Sequence, residues 1–296
     1  LVSEGYLETS IGSGTRVTSN LPDDILWKEV ALPHDDTTGT VKRTISPRGE
    51  LFSHLRLNAP HDRNPHRVFS AGTPDLDAFP FDVWSKLIAR HYREGDSRLV
   101  EYNLMSRAGY PPLLEAIADY ARSAGAVRCE PDQIVITNGG RHAIFLASMV
   151  LLNPGDKAWM EEPGHPGIRL LLQAAGAQVI PVPVDERGLN VDAGIAAAPD
   201  ARIVVVTPRQ VPVGSTMSLK RRVDLLHWAN QNDAWIIEDD YDQEFNYIGH
   251  PLMSMQGLDA NRRVIYVGTF SKSMFPGLRL GYMIVPPDLV QALTAL

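Results

Sequence analysis

Residues 268–273 read GTFSKS and place Lys272 among small hydroxyl residues, directly after the buried strand that the apolar run at 264–267 predicts. This is an unusual place for a lysine that is merely solvated. An amine held away from water and near other cations loses its proton more readily and can then attack a carbonyl carbon to form an imine. Ser271 and Arg279 offer donors for a dianion nearby. The stretch therefore predicts a reactive lysine beside an anion site.

Strands and helices alternate on both sides of this stretch. Apolar runs predict strands at 133–137, 157–161, 178–184, 203–207, 235–238, 264–267 and 279–285, and apolar spacing predicts helices at 111–123, 141–152, 167–175 and 219–230. This alternation is typical of βαβ units and predicts an α/β fold with a mostly parallel sheet and helices on both faces. Ligands bind such sheets beyond the carboxyl ends of the strands, so polar residues that follow a strand are the candidates for a site.

A glycine turn follows the first strand of this series, where residues 137–142 read TNGGRH. Glycines between a strand and a helix let backbone N–H groups approach an anion, and the start of the helix adds partial positive charge. The turn is a candidate phosphate cradle. An ordinary strand-to-helix turn has the same composition, and that reading stays open for the turn taken alone.

An acidic block, EDDYD, stands at 238–242, just after another predicted strand. Four carboxylates in five residues repel one another, so some of them must be compensated. They fit a metal site, a carboxylate that pairs with a cationic ring nitrogen, or a solvated loop. No His or Cys is spaced nearby as in a zinc motif, which argues against zinc. The loop at 207–214, TPRQVPVG, is interpreted as a rigid connection.

The three polar segments are more informative together than singly. A cofactor that carries an aldehyde, a phosphate and a pyridinium nitrogen needs a lysine, an anion cradle and a carboxylate. All three follow strands in one open α/β pattern. The sequence therefore indicates such a cofactor, with the carboxylate stabilising the protonated ring as an electron sink.

Composition limits the remaining possibilities. The chain has 296 residues, a formal net charge of −7 and one cysteine, Cys129. The acidic balance does not favour nucleic-acid binding by the whole chain, and the single cysteine excludes a disulfide framework. Neither a signal peptide nor an apolar run of about 18 residues is present, so we expect a cytoplasmic protein with no membrane partner. The chain lacks an initiator Met, which suggests that it begins part-way through a longer protein.

The first 66 residues differ in character from the rest. Residues 1–18 read as two short strands joined by a Gly-Ser-Gly turn. Residues 19–66 are polar and broken by prolines, and they are interpreted as a linker. We place the main domain at 67–296.

Three blocks resemble the MocR subgroup of GntR-type transcription regulators: EDDYDQEFNY at 238–247, GTFSK at 268–272 and FPGLRLGY at 275–282. These regulators join a winged helix-turn-helix domain to a fold-type I aminotransferase-like domain that binds pyridoxal 5'-phosphate (PLP). The resemblance covers nearly all of the chain and implies that residues 1–18 are the wing of the DNA-binding domain. It also implies a homodimer, operator DNA bound through an N-terminal domain that this chain lacks, and a missing small C-terminal domain.

The resemblance also assigns roles to individual residues. It implies that Lys272 forms a Schiff base with PLP, that Asp239 pairs with the pyridinium nitrogen and that Tyr241 hydrogen-bonds the ring's 3'-oxygen. The implied phosphate ligands are Gly139, Gly140, Ser271 and Arg279, with Tyr102 reaching the phosphate from a partner subunit.

Three positions depart from the family pattern. His165 stands where a tyrosine usually stacks on the cofactor ring. The loop at 207–214 is one residue shorter than the family's usual Ser-His-Gln form, and Arg209 and Gln210 stand near the position of the missing histidine, which contacts the oxygen side of the cofactor. Arg141 and His142 replace small or amide residues after the glycines, and Arg141 either strengthens phosphate binding or points to solvent. These changes bear on catalytic competence more than on PLP binding.

Three functional hypotheses follow. The first is a transcription regulator that senses PLP or an amine or amino-acid effector, and the Gly-Ser-Gly hairpin and the linker favour it. The second is a working aminotransferase, which the lysine, aspartate and phosphate set favours. The third is a fragment that cannot complete its fold.

Overall fold

The computed structural model describes residues 1–19, 21, 44–54, 72, 74–96, 108–124, 126–210, 214–245 and 253–296. The chain divides into two compact units, Leu1–Pro47 and Arg48–Leu296. The first contains an antiparallel hairpin of β1 (Leu7–Ser10) and β2 (Gly14–Val17). Gly12 and Gly14 have φ of +91° and +82°, a backbone conformation that glycine adopts readily. The predicted hairpin is present, and its identity as a wing stays a prediction.

The region predicted as a linker is not entirely irregular. Helix α1 (Pro47–His54) lies within it, with Pro47 in the first turn, where a missing backbone N–H costs nothing. Most other linker positions fall outside the described residues. The predicted boundaries at 18/19 and 66/67 therefore stay predictions.

The second unit is built on one eight-stranded sheet. Its order is β3-β12-β11-β10-β7-β4-β5-β6. The strands are β3 (Ile134–Thr137), β4 (Lys157–Glu162), β5 (Gln178–Asp185), β6 (Gly188–Leu189), β7 (Ile203–Val206), β10 (Trp235–Asp239), β11 (Val264–Thr269) and β12 (Gly281–Ile284). Strands β11, β10, β7, β4 and β5 pair in parallel, whereas β12 is antiparallel to both its neighbours and β6 is antiparallel to β5. The mostly parallel α/β sheet is confirmed.

Helices follow most of the strands. They are α2 (Phe81–Glu94), α3 (Pro111–Ala124), α4 (Gly140–Leu151), α5 (Pro166–Ala174), α6 (Val191–Ala197), α7 (Leu219–Gln231), α8 (Met255–Leu258) and α9 (Pro287–Ala295). A small hairpin of β8 (Arg209–Gln210) and β9 (Ser215–Thr216) occupies part of the predicted connecting loop. In the described part of the chain, none of the helices combines the length and apolarity that crossing a membrane requires.

Both faces of the sheet are covered. Side chains of a strand alternate between its faces, and in β7 Ile203 and Val205 join one hydrophobic core while Val204 and Val206 join the other. Helix α4 packs on β11 and β12 in the first core, and α7 packs on β10 in the second. The predicted arrangement of helices on both faces is confirmed.

The predicted strand at 279–285 was wrong at its start. A 3₁₀ turn occupies Pro276–Leu278, and Arg279 follows it with φ of +54°, so the strand begins only at Gly281. Pro276 and Gly277 favour the turn, because proline fixes φ and glycine adds freedom. The turn leaves the Arg279 side chain free to cross to the β3–α4 connection.

Gly194 in α6 lies against a buried ring. A Cβ atom at Gly194 would be 2.8 Å from the Trp159 ring, which is fully buried and stacks on Trp228 with ring centroids 3.9 Å apart. We expect Gly194→Ala to lower the free energy of unfolding by about 1–2 kcal/mol, since overpacking outweighs the gain in helix propensity. Urea unfolding measures this. Ile195→Ala, on the exposed side of the helix, should change it by less than about 0.5 kcal/mol, and equal effects of the two would contradict the packing.

Candidate functional site

A cavity of about 350 Å³ lies at the carboxyl ends of β10 and β11 and at the start of α4. It is lined by Gly72, Gly140, Arg141, His165, Ile168, Asp239, Tyr241, Asp242, Thr269, Ser271, Lys272 and Arg279. The structure thus brings together most of the site residues predicted from the sequence. Gly139 adjoins the cavity through its contact with Arg279, and Tyr102 lies outside the described residues.

Strand alternation separates the acidic block into two groups. Glu238 and Asp240 are buried away from the cavity. Glu238 accepts hydrogen bonds from the backbone N–H groups of Met255 and Gln256, at 2.8 and 2.9 Å. Asp240 accepts one from the Tyr266 hydroxyl at 3.2 Å. These two carboxylates are therefore at least partly compensated within the protein, whereas Asp239 lines the cavity.

Asp239 is held in a setting that disfavours its charged form. Burial raises the pKa of its carboxyl to about 7, the neighbouring charges of Asp240 and Asp242 add to the rise, and Lys272 opposes it. A cation placed against this carboxyl would relieve the repulsion. The protonated nitrogen of a pyridine ring is such a cation, so the residue fits the predicted partner of a PLP ring.

The raised pKa predicts how stability depends on pH when no cofactor is added. The folded protein keeps a proton on Asp239 between about pH 4 and pH 7 that the unfolded chain releases, so Asp239 lowers stability progressively as pH rises through this range. We expect the free energy of unfolding of Asp239→Asn, relative to that of wild type, to increase by up to about 4 kcal/mol as the pH is raised from about 4 to about 8. This magnitude follows from about 1.4 kcal/mol per pKa unit. Urea unfolding at both pH values measures the difference. A gain that does not depend on pH would contradict the assignment.

Lys272 lies beyond the end of β11 and is partly exposed. Its Nζ donates a hydrogen bond to the Gly72 carbonyl oxygen and lies 6.0 Å from the centroid of the Tyr241 ring. A Cβ at Gly72, whose φ is +76°, would be 3.0 Å from Nζ. The amine is thus enclosed between a glycine backbone and an aromatic ring at the edge of the cavity.

The glycine turn and Arg279 form one end of the cavity. Gly139 caps α4 with φ of +86°, and Arg279 Nη2 donates to the Asn138 carbonyl oxygen at 2.9 Å. A Cβ at Gly139 would be 3.2 Å from that guanidinium, so a larger residue would close the space between the turn and the arginine. The start of α4 adds N–H groups without helical acceptors.

Ser271 completes this end of the cavity. Its N–H donates to Thr269 Oγ1 at 3.2 Å, and that hydroxyl donates to Ser271 Oγ at 2.9 Å. The second bond fixes the Ser271 side chain. Together with the start of α4 and the Arg279 guanidinium, the arrangement offers donors of the kind that a phosphate dianion requires.

His165 caps α5 on another wall of the cavity. Its Nδ1 accepts a hydrogen bond from the Gly167 N–H at 3.0 Å. Burial, with the nearby charges of Arg141 and Lys272, lowers the pKa of the imidazole. The ring is therefore neutral at pH 7. Its proposed stacking on a cofactor ring stays a prediction.

Arg209 turns toward the acidic block. Its Nη1 donates to the Gln243 carbonyl oxygen at 3.0 Å, and its Nη2 lies 3.7 Å from Asp240 Oδ2. It is not among the residues lining the cavity. The structure therefore gives Arg209 a role in neutralising Asp240.

Four lining residues were not predicted as site residues. Thr269 and Asp242 belong to motifs that the sequence made conspicuous, and their positions after strands could have selected them. Gly72 contributes a backbone oxygen, and Ile168 is an ordinary apolar helical residue, so neither carries a signal in the sequence.

The family model described as aminotransferase class I and II matches residues 68–296. The chain is also 40% identical over 294 residues to a protein of Rhizobium meliloti described as a probable rhizopine catabolism regulatory protein MocR, with 98% of this chain covered. It spans 56% of that relative's length. The resemblance to MocR-type regulators predicted from the sequence is confirmed.

Solved aminotransferases share the fold. An archaeal alanine:glyoxylate aminotransferase is 31% identical with a TM-score of 0.69, covering 76% of this chain and 57% of that one. The α-aminoadipate aminotransferase LysN of Thermus thermophilus, complexed with N-(5'-phosphopyridoxyl)-L-leucine, is 28% identical with a TM-score of 0.68, covering 77% and 58%. These similarities confirm the predicted fold type.

Proposed function

Because the chain belongs to the aminotransferase class I and II family, whose enzymes depend on PLP, we propose that it binds PLP on Lys272 as the sensing part of a transcription regulator. The proposal rests mainly on one observation: Lys272, Asp239 and the candidate phosphate cradle at the start of α4 line a single cavity. An amine, a carboxylate and an anion site match the aldehyde, ring nitrogen and phosphate of one small molecule.

Each residue has a definite part in holding PLP. Lys272 would hold the aldehyde end of PLP through its Nζ. Asp239 would face the ring nitrogen and favour its protonated form, and the Tyr241 hydroxyl would hydrogen-bond the ring's 3'-oxygen. Gly139, Gly140, Ser271 and Arg279 would hold the phosphate. When bound, PLP supplies a ring that withdraws electrons from the carbon attached to the amine.

The regulatory role rests on the relative and on the N-terminal hairpin. The matched protein of Rhizobium meliloti is described as a regulatory protein. The hairpin of β1 and β2 fits the wing of a DNA-binding domain. In this proposal the regulator is a homodimer that binds operator DNA outside this chain, and an amine or amino acid that reaches Lys272 is the effector.

A working aminotransferase is the second candidate. The cavity presents Lys272, Asp239 and Tyr241 together, and the solved structures of similar fold are enzymes. This set of residues supports PLP attachment and the activation of a bound amine.

The two candidates differ in turnover. In a regulator, each protein molecule responds once to an amine, so the change in visible absorbance stops when every PLP site has reacted. An enzyme converts an added 2-oxo acid to an amino acid in large excess over protein. The experiment is to titrate the protein with PLP, add an amino acid and a 2-oxo acid, and record absorbance and product. A PLP-dependent band with less than one product per protein supports sensing, many turnovers support the enzyme, and no band in wild type contradicts both.

A further inference from the structure

Arg141 is a cation in the cavity with no hydrogen-bond or ion-pair partner in the described part of the chain. Its guanidinium lines the cavity, yet among the described residues it makes neither a hydrogen bond nor an ion pair. The other two cations of the cavity are engaged, Lys272 with the Gly72 carbonyl oxygen and Arg279 with the Asn138 carbonyl oxygen. An arginine carries five donors in a planar fork, and these are available to a ligand.

The Arg141 side chain lies at a different wall from the phosphate cradle. A Cβ at Gly167, in the first turn of α5, would be 3.1 Å from Arg141 Nε and 3.0 Å from His165 Nδ1. A Cβ at Gly139 would instead contact Arg279. The two arginines therefore serve two places, Arg279 at the glycine turn of α4 and Arg141 beside His165 at the start of α5.

His165 provides a second donor beside this arginine. Its Nδ1 accepts the Gly167 N–H, so the neutral ring carries its proton on Nε2 and can donate only from there. A guanidinium fork next to an imidazole N–H, at the start of a nine-residue helix, is a setting for a small anion. A carboxylate suits it best, because its two coplanar oxygens match the fork.

We propose that Arg141, assisted by His165, holds a carboxylate of the effector, so that the site selects amino carboxylic acids over simple amines. The inference rests on the proposed function, because it takes the effector to be an amine that reaches Lys272. It replaces the expectation that Arg141 binds phosphate or points to solvent. Arg141 is then a residue that sets specificity, whereas Lys272 carries the chemistry.

The experiment compares ligands that differ only in the carboxylate. Glycine, β-alanine, 4-aminobutyrate and 5-aminopentanoate are each paired with the n-alkylamine that has the same number of carbons. The readout is the concentration of each that half-saturates the absorbance change of the PLP-loaded protein. Wild type, Arg141→Gln, Arg141→Lys and Arg279→Ala are compared, and the PLP affinity of each is measured first.

We expect wild type to prefer at least one acid over its paired alkylamine by about tenfold or more, because a hydrogen-bonded ion pair contributes about 1.5–3 kcal/mol. Arg141→Gln should remove the preference and retain the alkylamine response, and Arg141→Lys should keep part of it. Arg141→Gln should weaken PLP binding less than Arg279→Ala does.

Three results would overturn the inference. They are a wild type with no preference for any acid, an Arg141→Gln variant that keeps the preference, and a loss of PLP affinity in Arg141→Gln equal to that in Arg279→Ala. The last result would make Arg141 a phosphate ligand. Failure of the proposed function is recognised separately, because wild type would then form no visible band with PLP before any amine is added, and the inference would fall with it.

Discussion

Lys272→Ala is expected to abolish the visible absorbance band that forms when PLP is added to the protein. Among the described residues that line the cavity, Lys272 alone carries a primary amine. Its Nζ lies between the Gly72 backbone and the Tyr241 ring, so an aldehyde in the cavity meets this amine before any other. Alanine removes the nucleophile, and the remaining spectrum should be that of the free aldehyde. The loss is complete because no partial substitute for a covalent bond is available.

A surface lysine provides the matched control for this result. Lys157 is the first residue of β4, at the end of this strand opposite its carboxyl end, and it forms an ion pair with Asp200 at 2.8 Å. Lys157→Ala should leave the band intact. If Lys272→Ala and wild type give the same band, the attachment is elsewhere and the assignment is wrong.

Asp239→Asn is expected to weaken PLP binding by roughly 100-fold, or about 3 kcal/mol. Asparagine keeps the shape of the side chain and removes its charge, so the ring nitrogen loses the partner that holds its proton. The burial that raises the pKa of Asp239 to about 7 also strengthens its attraction for a cation. Titration of the band at about pH 8, where the carboxyl is ionised, measures the change.

This variant separates binding from folding. Asp239→Asn should be more stable than wild type at about pH 8 without cofactor, so weaker PLP binding cannot be ascribed to unfolding. Asp288→Asn, on the exposed first turn of α9, serves as the control and should leave PLP affinity unchanged. An unchanged affinity in Asp239→Asn would instead remove Asp239 as the partner of the ring nitrogen.

Much of the fold could be predicted because each buried parallel strand consists of a short run of apolar residues in the sequence. Residues 203–206, IVVV, alternate between two cores and must be apolar at every position, so the run is conspicuous. The site could be predicted for a related reason. Polar residues that directly follow such runs, among them Asp239, collect at one edge of a parallel sheet.

Other features depend on contacts that the sequence does not encode locally. Gly72 lies 200 positions before Lys272 in the sequence. It accepts a hydrogen bond from Lys272 through its backbone oxygen, and residue identity gives no sign of such a contact. The left-handed conformation of Arg279 depends on the turn before it. Every residue of α2 is at least partly exposed, so this helix contributes no buried residue to the two cores that the apolar strands form.

The acidic block shows how structure decides between alternatives that composition leaves open. Sequence alone allowed a metal site, a partner for a ring nitrogen or a solvated loop. In the structure Glu238 and Asp240 are buried and bound by backbone N–H groups, Tyr266 and Arg209, and Asp239 alone of these three faces the cavity. Alternation along β10 produces this division.

Borohydride reduction followed by peptide mass spectrometry identifies the lysine to which PLP is attached. The protein is incubated with PLP, the C=N bond is reduced to a stable C–N bond, and the modified peptide is sequenced. We expect a single phosphopyridoxyl group on Lys272, absent from Lys272→Ala and much reduced in Asp239→Asn at limiting PLP. A modification on another lysine, or none at all in wild type, would contradict it.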